Sequence, residues 1–276
     1  MRGLLWPRKD MGLASLYRTA VMQDGPVGYW RLGDSGASAA DASGNGATGT
    51  YQAAVGDHQR PGLIGGDADR SAMFPGGSGA DRCVLVAVSP LKTQGTLSLE
   101  AWVSAHDLAG AEGILVRSGQ GTDEQYELAI TSGGGLLYQH RDAGTVVRNL
   151  QTGVAIRPGV TTHCVVTRAS DGFTVEFFVN GYSFFSGTVP APAGPNASQA
   201  LSIGGTNGSI AKNYYGREDE VALYNYVLSP AQILKHYRIG AGWAGFASPP
   251  WWIATALHPA ADPITGTRWP PISKGA

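Results

Sequence analysis

Hydrophobic and polar residues alternate along many short segments of this chain. Between Thr96 and Val103, leucine, leucine, alanine and valine alternate with threonine, serine, glutamate and tryptophan. A period of two is typical of a β-strand with one face inward. Further strands are predicted at Tyr29–Leu32, Ser71–Phe74, Cys83–Val88, Gly113–Arg117, Tyr126–Thr131, Leu136–His140, Thr145–Leu150, His163–Arg168, Thr174–Val179, Ala200–Ile203 and Asp219–Tyr224.

Turn-forming pairs punctuate this pattern. Asp171-Gly172 separates two of the predicted strands, and Asn180-Gly181 directly follows Val179. A two-residue Asn-Gly connection favours a type I′ hairpin, whose twist matches that of the flanking strands. The 40 glycines have no short period, so tight turns rather than collagen explain them.

Helical signals are few. Leu13–Met22 predicts a short helix, and Ser229 followed by Pro230 is a typical helix start. Many short strands with one late helix favour an antiparallel sandwich over an alternating α/β sheet.

Four segments, in order, resemble the laminin-G-like, concanavalin A-like jelly-roll family. They are Gly28–Asp34 with Ala40–Tyr51, Thr96–Val103, His163–Gly181, and Asp219–Asn225 with Leu228–Ile233. The resemblance implies an all-β, two-sheet antiparallel jelly-roll sandwich with one short C-terminal helix and extended terminal arms. The expected organisation is an N-terminal extension (1–23), the jelly-roll domain (24–240) and an extended arm (241–276).

The segment Ala20–Asp34 is similar to the opening of copies found in tailed-phage structural proteins. The first residues contain no apolar stretch long enough for a secretory signal. Residues 241–276 contain six prolines and four of the seven tryptophans, namely Trp243, Trp251, Trp252 and Trp269. Proline opposes regular ladders, so an extended arm is predicted whose tryptophans contact neighbouring virion subunits. The expectation is an oligomeric virion component, made in the host cytoplasm and carried outside in the particle.

The charge and the apolar pattern of the chain argue against two classes of partner, nucleic acids and membranes. The net charge is −1 and no basic run is present, so nucleic acid is not an expected partner. No apolar run approaches the length of a membrane span. The two cysteines, Cys83 and Cys164, both lie in apolar segments and are predicted to be buried thiols.

A calcium site is the sharpest chemical hypothesis that the resemblance implies. Asp41 and Asp219 match positions where some family members bind calcium, and carbonyls near Asn45 and Gly46 would add oxygen ligands. The alternative is that Asp41 and Asn45 shape a tight loop through local hydrogen bonds.

A sugar-binding surface is predicted in the segment 207–216. Tyr214 and Tyr215 offer ring faces, and Asn213 and Lys212 offer polar groups, on a rim loop where binding residues concentrate. The alternative is that the tyrosines pack internally.

Catalysis is the least favoured function. Glu218 and Glu220 would share a strand face at about 6–7 Å, near the spacing of glycosidase carboxylates, but the longer alternating acidic motif of related hydrolases is absent. His163 is interpreted as a packed or rim residue. The sequence therefore predicts a non-enzymatic phage virion protein for assembly or adhesion to host-surface glycans, with a calcium-dependent lectin as the alternative.

Overall fold

The computed structural model describes residues 15–108, 113–119, 124–195, 200–206 and 212–242. Trp243, Trp251, Trp252 and Trp269, predicted to contact partners, lie outside these residues. The described part contains helices α1 (Leu16–Gln23) and α2 (Pro230–Gly240). Its strands are β1 (Gly28–Trp30), β2 (Ser38–Ala39), β3 (Gly49–Tyr51), β4 (Asp57–Pro61), β5 (Arg70–Pro75), β6 (Val84–Val86), β7 (Leu97–Ala105), β8 (Gly113–Ser118), β9 (Tyr126–Ile130), β10 (Gly135–Arg141), β11 (Val147–Val154), β12 (Thr162–Arg168), β13 (Thr174–Val179), β14 (Tyr182–Thr188), β15 (Leu201–Ile203) and β16 (Tyr215–Tyr224).

The strands form two antiparallel sheets. Sheet A has the order β14-β13-β12-β7-β16-β5-β4, with β1 also paired to β16, and sheet B has the order β11-β10-β9-β8-β15-β6-β3-β2. Their facing side chains make one apolar core that includes Trp30, Leu99 and Phe177. The predicted all-β sandwich is confirmed.

The hairpin between β13 and β14 has the predicted turn. Asn180 has φ 51° and Gly181 has φ 82°. Positive φ at both positions is what a type I′ turn requires, and asparagine and glycine adopt it at the least cost. The turn sets the register that pairs Val179 with Tyr182.

The outer face of sheet A is covered by the two helices. Helix α2 begins with a capping box, in which Ser229 and Gln232 bond each other's backbone amides, and Pro230 occupies its first turn. Helix α1 packs against α2 and buries Tyr17, Ala20 and Val21. All nine residues of β7 are consequently buried, including its polar positions.

No helix in the described ranges has the length and apolar composition needed to cross a bilayer. Both cysteines are free and buried, as predicted.

Candidate functional site

An aromatic pair lies at the rim where β7 ends and β16 begins. The ring of Tyr215 stacks on the imidazole of His106, with centroids 4.3 Å apart and planes inclined by 28°. A backbone hydrogen bond from the His106 amide to the Tyr215 carbonyl, 2.9 Å, holds the two residues together. The side chain of His106 is 59% exposed and that of the adjoining Asp107 is 49% exposed. We call Tyr215, His106, Asp107 and Lys212 the rim surface.

The other two residues predicted to bind a ligand support this rim from inside. Asn213 Nδ2 donates to the carbonyls of Gly77 (2.9 Å) and Gly79 (3.0 Å), and its Oδ1 accepts from the Thr206 amide (3.1 Å). Tyr214 is only 2% exposed. Asn213 therefore joins two loops and Tyr214 packs in the core, whereas Tyr215 and Lys212 remain partly exposed.

Gly76 makes the position of Tyr215 possible. It has φ +61°, and a Cβ on it would lie 2.5 Å from Cβ of Tyr215. A larger residue there would displace the tyrosine from its place beside His106. Gly76 and His106 were not predicted to take part in this site, because neither lies in the segment that carries the tyrosines.

A second concave surface lies at the other end of the sandwich. It has a volume of about 470 Å³ and is lined by Gln94, Asp142, Ala143, Gly144, Ala191, Pro192 and Ala193. Gln94 precedes β7 and His106 follows it, so this depression and the rim surface are separated by the length of that strand, roughly 30 Å at 3.3 Å per residue.

The residues predicted to bind calcium have hydrogen-bond partners within the chain. The Asp41 carboxylate accepts three backbone hydrogen bonds, from Tyr29 (3.1 Å), Ser43 (2.9 Å) and Ala47 (2.9 Å). Asn45 Nδ2 donates to the Val27 carbonyl, 3.1 Å. Asp41 and Asn45, with Gly46 at φ +79° beside them, thus build the tight loop of the alternative interpretation.

Asp219 lies in a different environment, next to a cluster organised by Arg31. Its Oδ2 accepts from the Leu63 amide, 2.7 Å. The Arg31 guanidinium contacts Asp67 (2.6 Å), Asp69 (3.0 Å) and Glu220 (3.0 Å). The positive charge beside these carboxylates is therefore the guanidinium of Arg31.

Within the described ranges, no group of three or more histidine, cysteine, aspartate or glutamate residues has a geometry that would hold a metal ion. The residues of the calcium hypothesis fit loop formation better than a calcium shell. Calcium binding stays a prediction.

The acidic residues of β16 are buried in different environments. A bulge between Asp219 and Ala222 breaks the alternation of the strand, and Glu220 has φ 53°. Glu218 is paired in register with the core residue Val103, whereas Glu220 contacts Arg31 and Tyr29. Burial raises the pKa of Glu218 well above its ordinary value. Both glutamates are inaccessible, at 0% exposure.

A buried polar cluster, which we call the Glu100 cluster, lies between sheet A and its two helices. Glu100 accepts hydrogen bonds from His163 Nε2 (2.7 Å), the Tyr17 hydroxyl (2.9 Å) and the Tyr224 hydroxyl (3.1 Å). His236 Nδ1 donates to the same carboxylate at 3.1 Å.

The second nitrogen of His236 lies 3.0 Å from Asp24 Oδ2. Burial alone would lower the pKa of His236, but Glu100 and Asp24 outweigh it and the pKa is raised. Burial alone would likewise raise the pKa of Glu100, but His236 and His163 bring it well below its ordinary value. Glu100 and His236 therefore each stabilise the charged form of the other.

The Glu100 cluster contains an acid and histidines in contact, but it is closed to solvent. Glu100, His163 and His236 are all 0% exposed. Because no substrate can reach them, their role is to fasten α1 and α2 to sheet A. His163 is thus a packed histidine, as the sequence predicted.

Two stacked antiparallel sheets of this kind define the jelly-roll class of protein. A laminin-G-type model of the concanavalin A-like lectin/glucanases superfamily matches residues 77–234, more than half of the chain. The chain belongs to this superfamily. A comparison with curated protein sequences gives no match.

Several solved structures share the fold. The binding domain of Paraclostridial Mosquitocidal Protein 1 superposes with a TM-score of 0.62 at 15% identity, over 79% of this chain and 52% of that one. The botulinum neurotoxin serotype G binding domain gives 0.61 at 11% identity, over 78% and 51%. The serotype D ligand-binding domain, in complex with N-acetylneuraminic acid, gives 0.59 at 13% identity, over 80% and 52%. This chain spans about half the length of these structures, and at such identities the likeness shows the fold alone.

Proposed function

We propose that this protein is a glycan-binding module that acts by adhesion rather than catalysis, and that its binding site is the rim surface. The observation that carries the proposal is the partly exposed Tyr215–His106 stack. Asp107 adjoins His106, and Lys212 precedes Tyr215 by three residues in the same segment. Ligand sites combine aromatic side chains with a few polar groups that fix orientation. Tyrosine suits an amphipathic sugar, because its ring is apolar and its hydroxyl is polar.

Binding without hydrolysis is supported by the placement of the carboxylates. Glu218, Glu220 and Glu100 are buried at 0% exposure, so none of them is presented at the surface to a glycan. Among its described residues the rim surface offers one carboxylate, Asp107, where glycoside hydrolysis ordinarily uses two.

Tyr215→Ala is expected to weaken binding of the best glycan on an array by at least about tenfold in Kd, because truncation of a central aromatic anchor costs more than about 1.4 kcal/mol. The measurement is a calorimetric titration of that glycan. Phe173→Ala is the matched control, since Phe173 is also a partly exposed aromatic residue (37%) but lies near the opposite depression, where Gly172 approaches Pro192. If Phe173→Ala lost binding while Tyr215→Ala kept it, the glycan site would be assigned to that depression, and the proposal that the rim surface binds the glycan would be refuted.

We further propose that the module serves in a tailed-phage particle, as a minor tail or head decoration protein located in the virion. The support is the similarity of Ala20–Asp34 to the opening of such proteins, together with the proline- and tryptophan-rich composition of residues 241–276. An arm of this composition suits attachment to neighbouring subunits.

Mass spectrometry of purified particles from a producing culture is expected to detect this chain, with cross-links from residues 241–276 to a different virion protein. Particles that lack the chain, while the lysate contains it, would contradict a virion role. That result would leave the glycan-binding proposal unaffected, because the titration uses purified protein.

A further inference from the structure

Two arginines, Arg82 and Arg217, lie next to Tyr215, and we call them the arginine pair. Arg217 follows Tyr215 by two residues on β16, so both side chains leave the same face of sheet A, about 6–7 Å apart along the strand. The register agrees with this placement, because Tyr215 pairs with Pro75 and Arg217 pairs with Met73 on the neighbouring strand β5.

Arg82 reaches the rim from the loop that follows β5. Its Nη1 donates to the Gly76 carbonyl, 2.8 Å. A Cβ on Gly77 would lie 3.8 Å from Nη1 of Arg82, and a Cβ on Gly79 would lie 3.4 Å from its Nε. The Arg82 side chain therefore lies along this glycine-rich loop, and Gly76 is the residue of the loop that abuts Tyr215.

The contacts found for both guanidinium groups are with neutral oxygens. Arg217 Nη1 donates to the Pro61 carbonyl, 3.1 Å, as Arg82 does to Gly76. Among the described residues, neither arginine forms an ion pair with a carboxylate. The next residue on the same strand face, Asp219, accepts from the Leu63 amide instead. Both arginines are half-buried, and a guanidinium has five N–H donors and a permanent charge.

This arrangement favours an anionic ligand. The planar fork of arginine donates two parallel hydrogen bonds to a carboxylate, and such charge-assisted bonds are stronger than those between neutral groups. A backbone carbonyl already orients each guanidinium, which reduces the entropy lost when a ligand binds. A neutral sugar covering the arginine pair would desolvate two positive charges without neutralising them, which costs free energy.

We propose that the glycan bound at the rim surface is acidic, and that the arginine pair binds the carboxylate of its sugar acid while the Tyr215–His106 stack contacts an adjoining ring. This inference rests on the glycan-binding function proposed above. It adds the chemical class of the ligand and two residues, Arg82 and Arg217, that determine specificity for it.

The test is a calorimetric titration of the full chain with two matched pairs of probes: sialyllactose with lactose, and trigalacturonate with its methyl ester. We expect at least one acidic probe to bind about tenfold or more tightly than its neutral counterpart. Arg217→Gln and Arg82→Gln are each expected to weaken that binding by about tenfold, since each removes a charge-assisted contact. If circular dichroism shows that one variant is misfolded, the other still tests the proposal.

Arg18→Gln is the matched control, because Arg18 is an exposed residue of α1 and the substitution removes the same charge. It is expected to bind the acidic probe as the wild-type chain does. An equal loss of affinity in Arg18→Gln would attribute the preference to net charge and overturn the role of the arginine pair.

Failure of this inference is distinguishable from failure of the proposed function. A neutral probe that binds as tightly as its acidic counterpart overturns the acidic ligand, as does an acid preference that survives both arginine substitutions. In either case Tyr215→Ala still tests the rim surface. If none of the four probes binds, the arginine pair is not a site for a sugar carboxylate, and a neutral glycan found on the array would leave the proposed function intact.

Discussion

Glu100→Ala is expected to lower the free energy of unfolding by about 3–5 kcal/mol, the cost of removing one partner from a buried ion pair. The carboxylate of Glu100 accepts from two histidines and two tyrosines. Without it, His236 keeps only Asp24 as a counter-ion, and the hydroxyls of Tyr17 and Tyr224 lose their acceptor in a closed site. Urea unfolding followed by circular dichroism measures the change.

Glu176→Ala is the matched control for this substitution. Glu176 is also a strand carboxylate with a hydroxyl partner, Ser183, but its hydrogen bond is exposed. An exposed polar contact contributes less than about 1 kcal/mol. Equal losses in the two variants would mean that the Glu100 cluster does not fasten the helices.

The pH dependence of stability gives a second check on the same variant. A carboxylate whose folded pKa is lowered, as for Glu100, stabilises above its unfolded pKa near 4.3, and this contribution disappears as the pH falls through the folded value. A histidine whose folded pKa is raised, as for His236, stabilises fully below about pH 6.5 and loses that contribution as the pH rises through the folded value. The deficit of Glu100→Ala is therefore expected to be largest between about pH 4.3 and pH 6.5 and to shrink on either side.

Alternating polarity predicted most of the long strands, because each buries one face in a single core. Strand β16 was predicted only from Asp219 onward, and β11 was predicted to end at Leu150 rather than Val154. The segment Thr174–Val179 was predicted with the bounds that the structure has. Strands β2, β3 and β4 were missed. They contain two, three and five residues, which is too few for an alternation of apolar and polar residues to be recognised. Strand β4 is in addition polar and mostly exposed.

The buried polar face of β7 was not predictable from its own residues. Alternation indicated that Ser98, Glu100 and Trp102 would face away from the core between the sheets, and the structure agrees. It did not indicate that α1 and α2 would bury these three residues. The Glu100 cluster joins residues 24, 100, 163 and 236, whose proximity arises only from sheet pairing and helix packing. Glu100, the one charged residue of β7, was the local sign of this cluster.

The rim surface was predictable in part. The tyrosine pair at 214 and 215 marked the segment, but alternation at the start of β16 sends the two rings to opposite sides. The bulge at Asp219–Ala222 left no sign in the sequence, since it relies on Glu220 rather than a glycine at positive φ. For the same reason the spacing of Glu218 and Glu220 suggested a shared face that the strand does not provide.

The segment that carries the rim surface is anchored at Gly204. This residue follows β15, donates its amide to the Leu115 carbonyl (2.8 Å) and accepts from the Tyr214 amide (3.0 Å). It has φ +77°, and a Cβ on it would overlap the ring of Phe74, a core residue at 0% exposure. A side chain at this position would therefore carry both a backbone strain and a steric clash.

Gly204→Ala is accordingly expected to lower the free energy of unfolding by about 2–5 kcal/mol, which combines about 1–2 kcal/mol for the left-handed backbone with about 1–3 kcal/mol for overpacking. Gly44→Ala separates the two contributions. Gly44 has a similar φ of +85°, but a Cβ there meets nothing within 4 Å, so only the backbone cost of about 1–2 kcal/mol applies. The comparison is made by urea unfolding of both variants. Equal destabilisation would show that Phe74 yields to the added methyl group and that the close approach of β15 to β5 contributes nothing to the stability of the rim.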